Sequence, residues 1–276
     1  MRLGLVLPIL LCLLPTMPAF AGDSLKALRS RGDLLGWEAI GRVDMAGHGF
    51  CTGSLIAQDL VLTAAHCMFD ETGRQIAPER VIFRAGNVSG DALSVRKVNR
   101  IVVDSGYVPV SGSEIDGDRM RHDLALLRLA SPIFASEADP FRIHATPEQG
   151  EVVSVLSYGK GRSENLSWQK DCRVLKRGAG LMSFDCDVTF GSSGAPVFVR
   201  YGTRMRILSV ISAMGQDPQT GRQIALGMTL PEKVSRLKQR MRNGEPSRLQ
   251  AGQGAKRITA GAGVRSGGGA KFIKVD

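Results

Sequence analysis

The chain has 276 residues, 43% of them hydrophobic and 5% aromatic, with 33 glycines and a formal net charge of +10. That length holds one large all-β domain or two small ones with a substantial core. Beyond the first stretch, no segment has the roughly 20 apolar residues of a membrane span, which excludes a membrane-spanning chain once that stretch is removed.

In chain order, the first stretch reads as a secretory signal. Arg2 is followed by an apolar run from Leu3 to Leu14 and by Ala19-Phe20-Ala21, a small-residue cleavage site that puts the cut near Gly22. Residues 1–21 are the signal, and 22–36 form a polar lead-in or short pro-segment. From Trp37 to about Met228, short strands alternate with turns rich in Gly, Pro, Asn and Asp. Expected strands include 53–56, 60–63, 80–84, 98–103, 124–129, 152–157, 195–199 and 207–211, a pattern of sandwich or barrel rather than of alternating strands and helices.

The pattern then changes. Pro231 stands at a first helical turn with Thr229 as candidate cap, and Val234, Leu237 and Met241 recur at helical spacing. One amphipathic helix is expected, ending near Asn243-Gly244. Residues 243–276 follow as a basic, Gly-rich tail. In its last part, Lys271–Val275 is apolar enough to dock as a strand, though the composition favours a flexible tail.

From Glu232 onward there are eleven Lys/Arg against three Asp/Glu, a net of +8, so residues 22–231 are close to neutral. We read the basic run as a solvated helix and tail rather than as a nucleic-acid surface. No nucleic-acid partner is expected. After loss of Cys12 with the signal, Cys51, Cys67, Cys172 and Cys186 remain, and four cysteines allow three pairings. The local pairs 51–67 and 172–186 are the simplest, each closing a short loop in an oxidising compartment.

Three runs bear on chemistry. Thr63-Ala64-Ala65-His66-Cys67 ends an apolar strand on a histidine. Asp123 directly precedes the core strand Leu124-Ala125-Leu126-Leu127, which separates it from neighbouring Asp118 and His122 as the candidate acid. Gly191-Ser192-Ser193-Gly194-Ala195-Pro196 sets a serine among glycines that permit a tight turn. A serine hydroxyl needs an adjacent base to become a nucleophile, histidine titrates near neutrality, and a buried acid orients the imidazole.

These runs, with Phe50-Cys51-Thr52-Gly53-Ser54-Leu55-Ile56, resemble the trypsin/chymotrypsin-like serine proteases, especially their bacterial secreted members, from about Trp37 to Val234. The resemblance implies two packed six-stranded antiparallel β-barrels with a C-terminal α-helix on the second, so that 37–242 is the peptidase domain. It also implies a triad of His66, Asp123 and Ser193, and an oxyanion hole built from the N–H groups of Gly191 and Ser193. Ser192 stands where the family usually has an aspartate that pairs with a newly cut N-terminus, and an Ile-Val-Gly-Gly start is missing. Activity without that activation step is expected. Ala195 replaces a usual glycine, a small change.

For substrate binding the resemblance points to Asp187, six residues before Ser193, and to Ser212 and Met214 on the strand 209–215 along which substrate backbone lies. Asp187 at the base of a closed pocket implies a preference for Arg or Lys; the alternative is a turn residue beside Cys186. The expected protein is a secreted or periplasmic, monomeric serine endopeptidase acting on protein or peptide substrates, with no metal and no organic cofactor. The alternatives are a catalytically silent relative that binds peptides or a partner, and a module that its basic tail recruits to an anionic surface. His48 and His144 are expected at the surface.

Overall fold

The computed structural model describes residues 25–109, 116–145 and 149–244 and the backbone of 271–273. The expected signal segment 1–21 with its cleavage point, and most of the tail, lie outside the described residues.

Six strands form a closed barrel in the order β2-β3-β4-β7-β6-β5. They are β2 (Ile40–Met45), β3 (Gly49–Ala57), β4 (Leu60–Thr63), β5 (Val81–Ala85), β6 (Ser94–Val103) and β7 (Ala125–Leu129). The apolar runs of β4 and β7 are buried on both faces. Val61 and Leu127 point into the barrel. Leu60, Leu62 and Leu126 point into a second apolar layer, shared with Leu156, Phe198 and Val210 of the other sheet. Alternation of side chains across a strand, with apolar residues on both sides, is what a strand between two packed layers requires.

The second sheet comprises β1 (Lys26–Ala27), β8 (Val152–Gly159), β9 (Arg162–Gly178), β10 (Leu181–Phe184), β11 (Pro196–Tyr201), β12 (Arg204–Gln216), β13 (Gln223–Met228) and β14 (Lys271–Ile273). Its path runs β1-β9-β10-β13-β12-β11-β8, and β8 also pairs with β9, so six strands return on themselves. Its interior holds Val155, Val174, Phe184, Val197 and Ile211. Where six strands were expected there are eight, because β1 adds to β9 and β14 adds to β12. From residue 25 on, the lead-in is likewise part of the fold: Leu28 and Leu34 are 1% and 0% exposed. Trp37 packs on Trp168 and Phe198 with ring centroids 5.2 and 5.1 Å apart.

Two helices complete the described chain. The short α1 (Gly117–His122) has Asp116 as its cap, accepting from the Arg119 N–H. The second, α2 (Pro231–Asn243), begins with Pro231 in its first turn, where the missing N–H costs nothing, and ends on Gly244 in the left-handed region. Thr229 does not cap it; its hydroxyl turns to the Gly180 carbonyl. Val234, Leu237 and Met241 are buried as the spacing requires. Contrary to expectation, the bonds from this helix run to the first barrel: Arg100 Nη1 donates to the Met241 carbonyl, and Arg240 Nη1 to that of Val103.

Candidate active site

His66 opens a single 3-10 turn directly after β4, and the Cys51–Cys67 disulfide ties that turn to β3. Cys172 is bonded to Cys186. Both local pairings are therefore present. Cys51, His66 and Cys67 lie close together, but the disulfide occupies both sulfurs and leaves no thiolate for a metal.

Asp123 closes α1 immediately before β7 and is fully buried. Its Oδ1 accepts from the His66 backbone N–H at 2.8 Å, and its Oδ2 lies 2.7 Å from His66 Nδ1. Oδ2 also accepts from the Ser212 hydroxyl. Burial alone would push this carboxyl up. The charge interaction with His66, its ring and backbone N–H bonds and the Ser212 hydroxyl outweigh burial and hold Asp123 below the usual carboxylate range. An ionised carboxylate only accepts hydrogen bonds, so Nδ1 bears a proton, and in a neutral imidazole so held the lone pair is on Nε2. The competing neighbours go elsewhere. His122 Nδ1 lies 2.7 Å from Asp104 Oδ1, and Asp118 pairs with Arg121 on the surface.

Ser193 is fully buried in the turn between β10 and β11. Neither its Oγ nor His66 Nε2 has a hydrogen-bond partner, although both are buried. The turn is stitched on both sides: the Ser193 carbonyl accepts from the Thr52 N–H at 2.9 Å, and the Gly194 N–H donates to the Ile211 carbonyl at 2.7 Å. The Phe190 carbonyl accepts from the Lys160 N–H at 2.7 Å and the Ser192 carbonyl from the Ala195 N–H at 2.9 Å. In a planar trans peptide the N–H points opposite the C=O. The N–H groups of Gly191 and Ser193 are thereby turned away from those partners, and neither has a backbone acceptor among the described residues.

Thr52, on β3, was not singled out from the sequence and is the hinge pin of this arrangement. Its hydroxyl donates to the Gly191 carbonyl at 2.9 Å and accepts from the Tyr158 N–H at 3.0 Å. One first-barrel residue therefore grips the serine turn twice, through N–H and hydroxyl. Thr52→Val keeps the shape and leaves the Gly191 carbonyl and the Tyr158 N–H without this partner. Each orphaned buried group costs about 1–3 kcal/mol. A urea midpoint unchanged from the parent would contradict this assignment.

Ser192, in the place of the family's usual aspartate, is buried and bonded to the Ser157 hydroxyl at 3.0 Å. Arg162, at the start of β9, reaches both: Nη2 donates to Ser192 Oγ at 3.3 Å and to Ser157 Oγ at 3.1 Å, while Nη1 donates to the Ser157 carbonyl at 2.6 Å. Burial lowers Arg162 to about 10, against the opposing pull of Asp187, so it remains a cation at neutral pH. A cation from within the chain thus occupies the neighbourhood of Ser192.

The three expected substrate-binding side chains fare differently. Asp187 is exposed, its backbone N–H bonded to Gln169, and its charge acts on Arg162. It is not enclosed at a pocket base, so the closed-pocket basis for an Arg/Lys preference is corrected. Ser212 is buried with its hydroxyl on Asp123, so its side chain is committed to the acid and only its backbone belongs to the strand expected to meet substrate. Met214 is 3% exposed, with Sδ 3.4 Å from Gln223 Nε2. His144, expected at the surface, is buried beside Tyr201.

Two barrels, with a paired acid and histidine on one and a glycine-framed serine on the other, define the chymotrypsin-like class of fold. The family pattern described as Trypsin matches residues 35–226, and the chain belongs to that family. It is 29% identical over 176 residues to serine protease 23 of Bos taurus, covering 56% of this chain and 45% of that protein. It is 35% identical over 112 residues to a trypsin of Sarcophaga bullata, covering 40% and 39%. The chain thus spans less than half the length of these curated relatives. In fold it is similar to the protease Anisep from Arthrobacter nicotinovorans, with a TM-score of 0.57 at 17% identity over 72% of this chain and 93% of that one.

Proposed function

We propose that this protein is an exported serine endopeptidase that hydrolyses peptide bonds through an acyl-enzyme. Ser193 Oγ is the nucleophile and His66 Nε2 the base that takes its proton. Asp123 fixes the tautomer and stabilises the imidazolium as it forms. The N–H groups of Gly191 and Ser193 receive the oxyanion of the tetrahedral intermediate, where one such donor is worth about 3 kcal/mol. His66 then returns the proton to the leaving amine, and water, activated by the same base, releases the acyl group. The carrying observation is that Asp123, itself bonded by the Ser212 hydroxyl, holds the His66 ring with Nε2 buried and unpartnered. Export is supported by the two disulfides, and no helix among the described residues is long and apolar enough to cross a membrane.

The test is turnover of a panel of peptide esters and amides by the parent chain and by Ser193→Ala. The variant is expected to lose about 10⁴-fold or more in kcat. Equal turnover by the two chains would remove Ser193 from the mechanism, and turnover by neither would favour a silent, peptide-binding relative. Cleavage-site mapping on a mixed peptide library reads specificity directly. With Asp187 exposed, no enrichment of Arg or Lys before the scissile bond is required.

A further inference from the structure

The two halves of β12 use opposite edges. Residues 204–210 pair with β11 and residues 211–216 with β13. On the β11 side, the last contact before the edge opens is made by the serine turn itself. Gly194 N–H donates to the Ile211 carbonyl, and Ile211 N–H donates to that of Ala195. Next along the chain is Ser212, whose hydroxyl holds Asp123. The edge that remains, Ala213 to Gly215, therefore starts beside the nucleophile's turn and leads away from it. An unpaired strand edge is a template for an added extended chain, held by main-chain hydrogen bonds. A peptide laid across Ser193 has this edge to pair with.

That edge is already taken. β14 lies on it in parallel, with Lys271 opposite Ala213, Phe272 opposite Met214 and Ile273 opposite Gly215. We infer that the segment Lys271–Ile273 is a built-in competitor for peptide substrate at the Ala213–Gly215 edge. This rests on the endopeptidase reading above. The segment runs from Ala213 towards Gly215, away from Ser212, and it uses the backbone edge without any demand on the triad. Because it is tethered to the same chain, its effective concentration is on the order of mM, enough for a three-residue pairing of weak intrinsic affinity to compete.

The experiment uses the full chain and Phe272→Pro/Ile273→Pro, since proline has no N–H to give to a ladder. Phe272→Val/Ile273→Val, which keeps both N–H groups, is the control. Three readouts are taken: amide hydrogen exchange at residues 213–215, KM and kcat on a peptide amide, and the rate of labelling by a small fluorophosphonate. The phosphonate needs the serine but not the strand edge. The proline chain is expected to lose exchange protection at 213–215 and to show KM lower by about 5-fold or more, with kcat and phosphonate labelling unchanged. The valine chain should behave as the parent. Unchanged protection, or an unchanged KM in a chain that labels normally, overturns the inference. Lost protection with no labelling of either chain instead sinks the endopeptidase reading and leaves β14 a docked strand without a substrate to exclude.

Discussion

Replacing Asp123 by Asn is expected to lower kcat by about 10⁴-fold while leaving the fold in place. The carboxylate has two distinct jobs, one for each oxygen. Oδ1 accepts from the His66 backbone, and Oδ2 from the imidazole and the Ser212 hydroxyl. An asparagine satisfies the first with its carbonyl oxygen and so turns its NH₂ towards Nδ1. Nδ1 then becomes an acceptor, the ring proton moves to Nε2, and the base that Ser193 needs is gone. Initial-rate measurements should find KM little changed, because nothing that would hold substrate has moved. A kcat within tenfold of the parent would mean that Asp123 does not set the tautomer.

The same variant has a signature in stability. The folded-state value for Asp123 is depressed, so its contribution is fully present above the usual carboxylate range and is lost as pH falls through the depressed value. The parent therefore loses stability on acidification by an amount that the asparagine chain does not. Urea unfolding of the two chains should converge as the pH is lowered from about 5 towards about 2. Divergence over that window would give the shift the opposite sign.

Gly194→Ala is the second large effect. Gly194 has φ +78°, and a Cβ there would run into the Thr52 carbonyl oxygen and Thr63 Oγ1, with the Ala64 nitrogen only 3.0 Å away. Left-handed strain costs roughly 1–2 kcal/mol and an overpacked contact roughly 1–3. A loss of about 4 kcal/mol corresponds to a Tm about 8–16 °C lower for a domain of this size. The obstacles are backbone and a buried hydroxyl, so the turn must shift, and Ser193 with it. Activity should fall together with stability. Gly202→Ala provides the control, since φ is +61° there and nothing lies within 4 Å of the added carbon. It should show the backbone strain alone, with activity intact. Equal losses in the two variants would place the whole cost in φ and none in the approach of the barrels.

The residues of the proposed chemistry are legible because each stands in a local setting. His66, Asp123 and Ser193 stand in short runs whose apolar or glycine neighbours state their setting, and β4 and β7 announce themselves as strands buried on both faces. The residues that hold these parts together are far apart along the chain. Thr52 meets Gly191 across 139 positions and Ser212 meets Asp123 across 89, contacts that no local pattern encodes. The 17-residue β9 escaped notice because exposed and buried positions alternate irregularly along it, as befits a strand that pairs with β8, β10 and β1 in turn. For Asp187 the sequence leaves two settings open for a related reason, and the fold adopts the exposed one. Spacing from Ser193 says where a residue falls in the chain, but not whether the loop around it closes.

Arg162 has one more consequence, and it concerns timing. A guanidinium at the start of β9 is brought beside Ser157 by the pairing of β8 and β9 and beside Ser192 by the packing of the serine turn, with no cut end required to deliver a positive charge. The charge beside Ser192 is then delivered in a first-order event, the folding of the chain itself, and not by a second molecule whose concentration would matter.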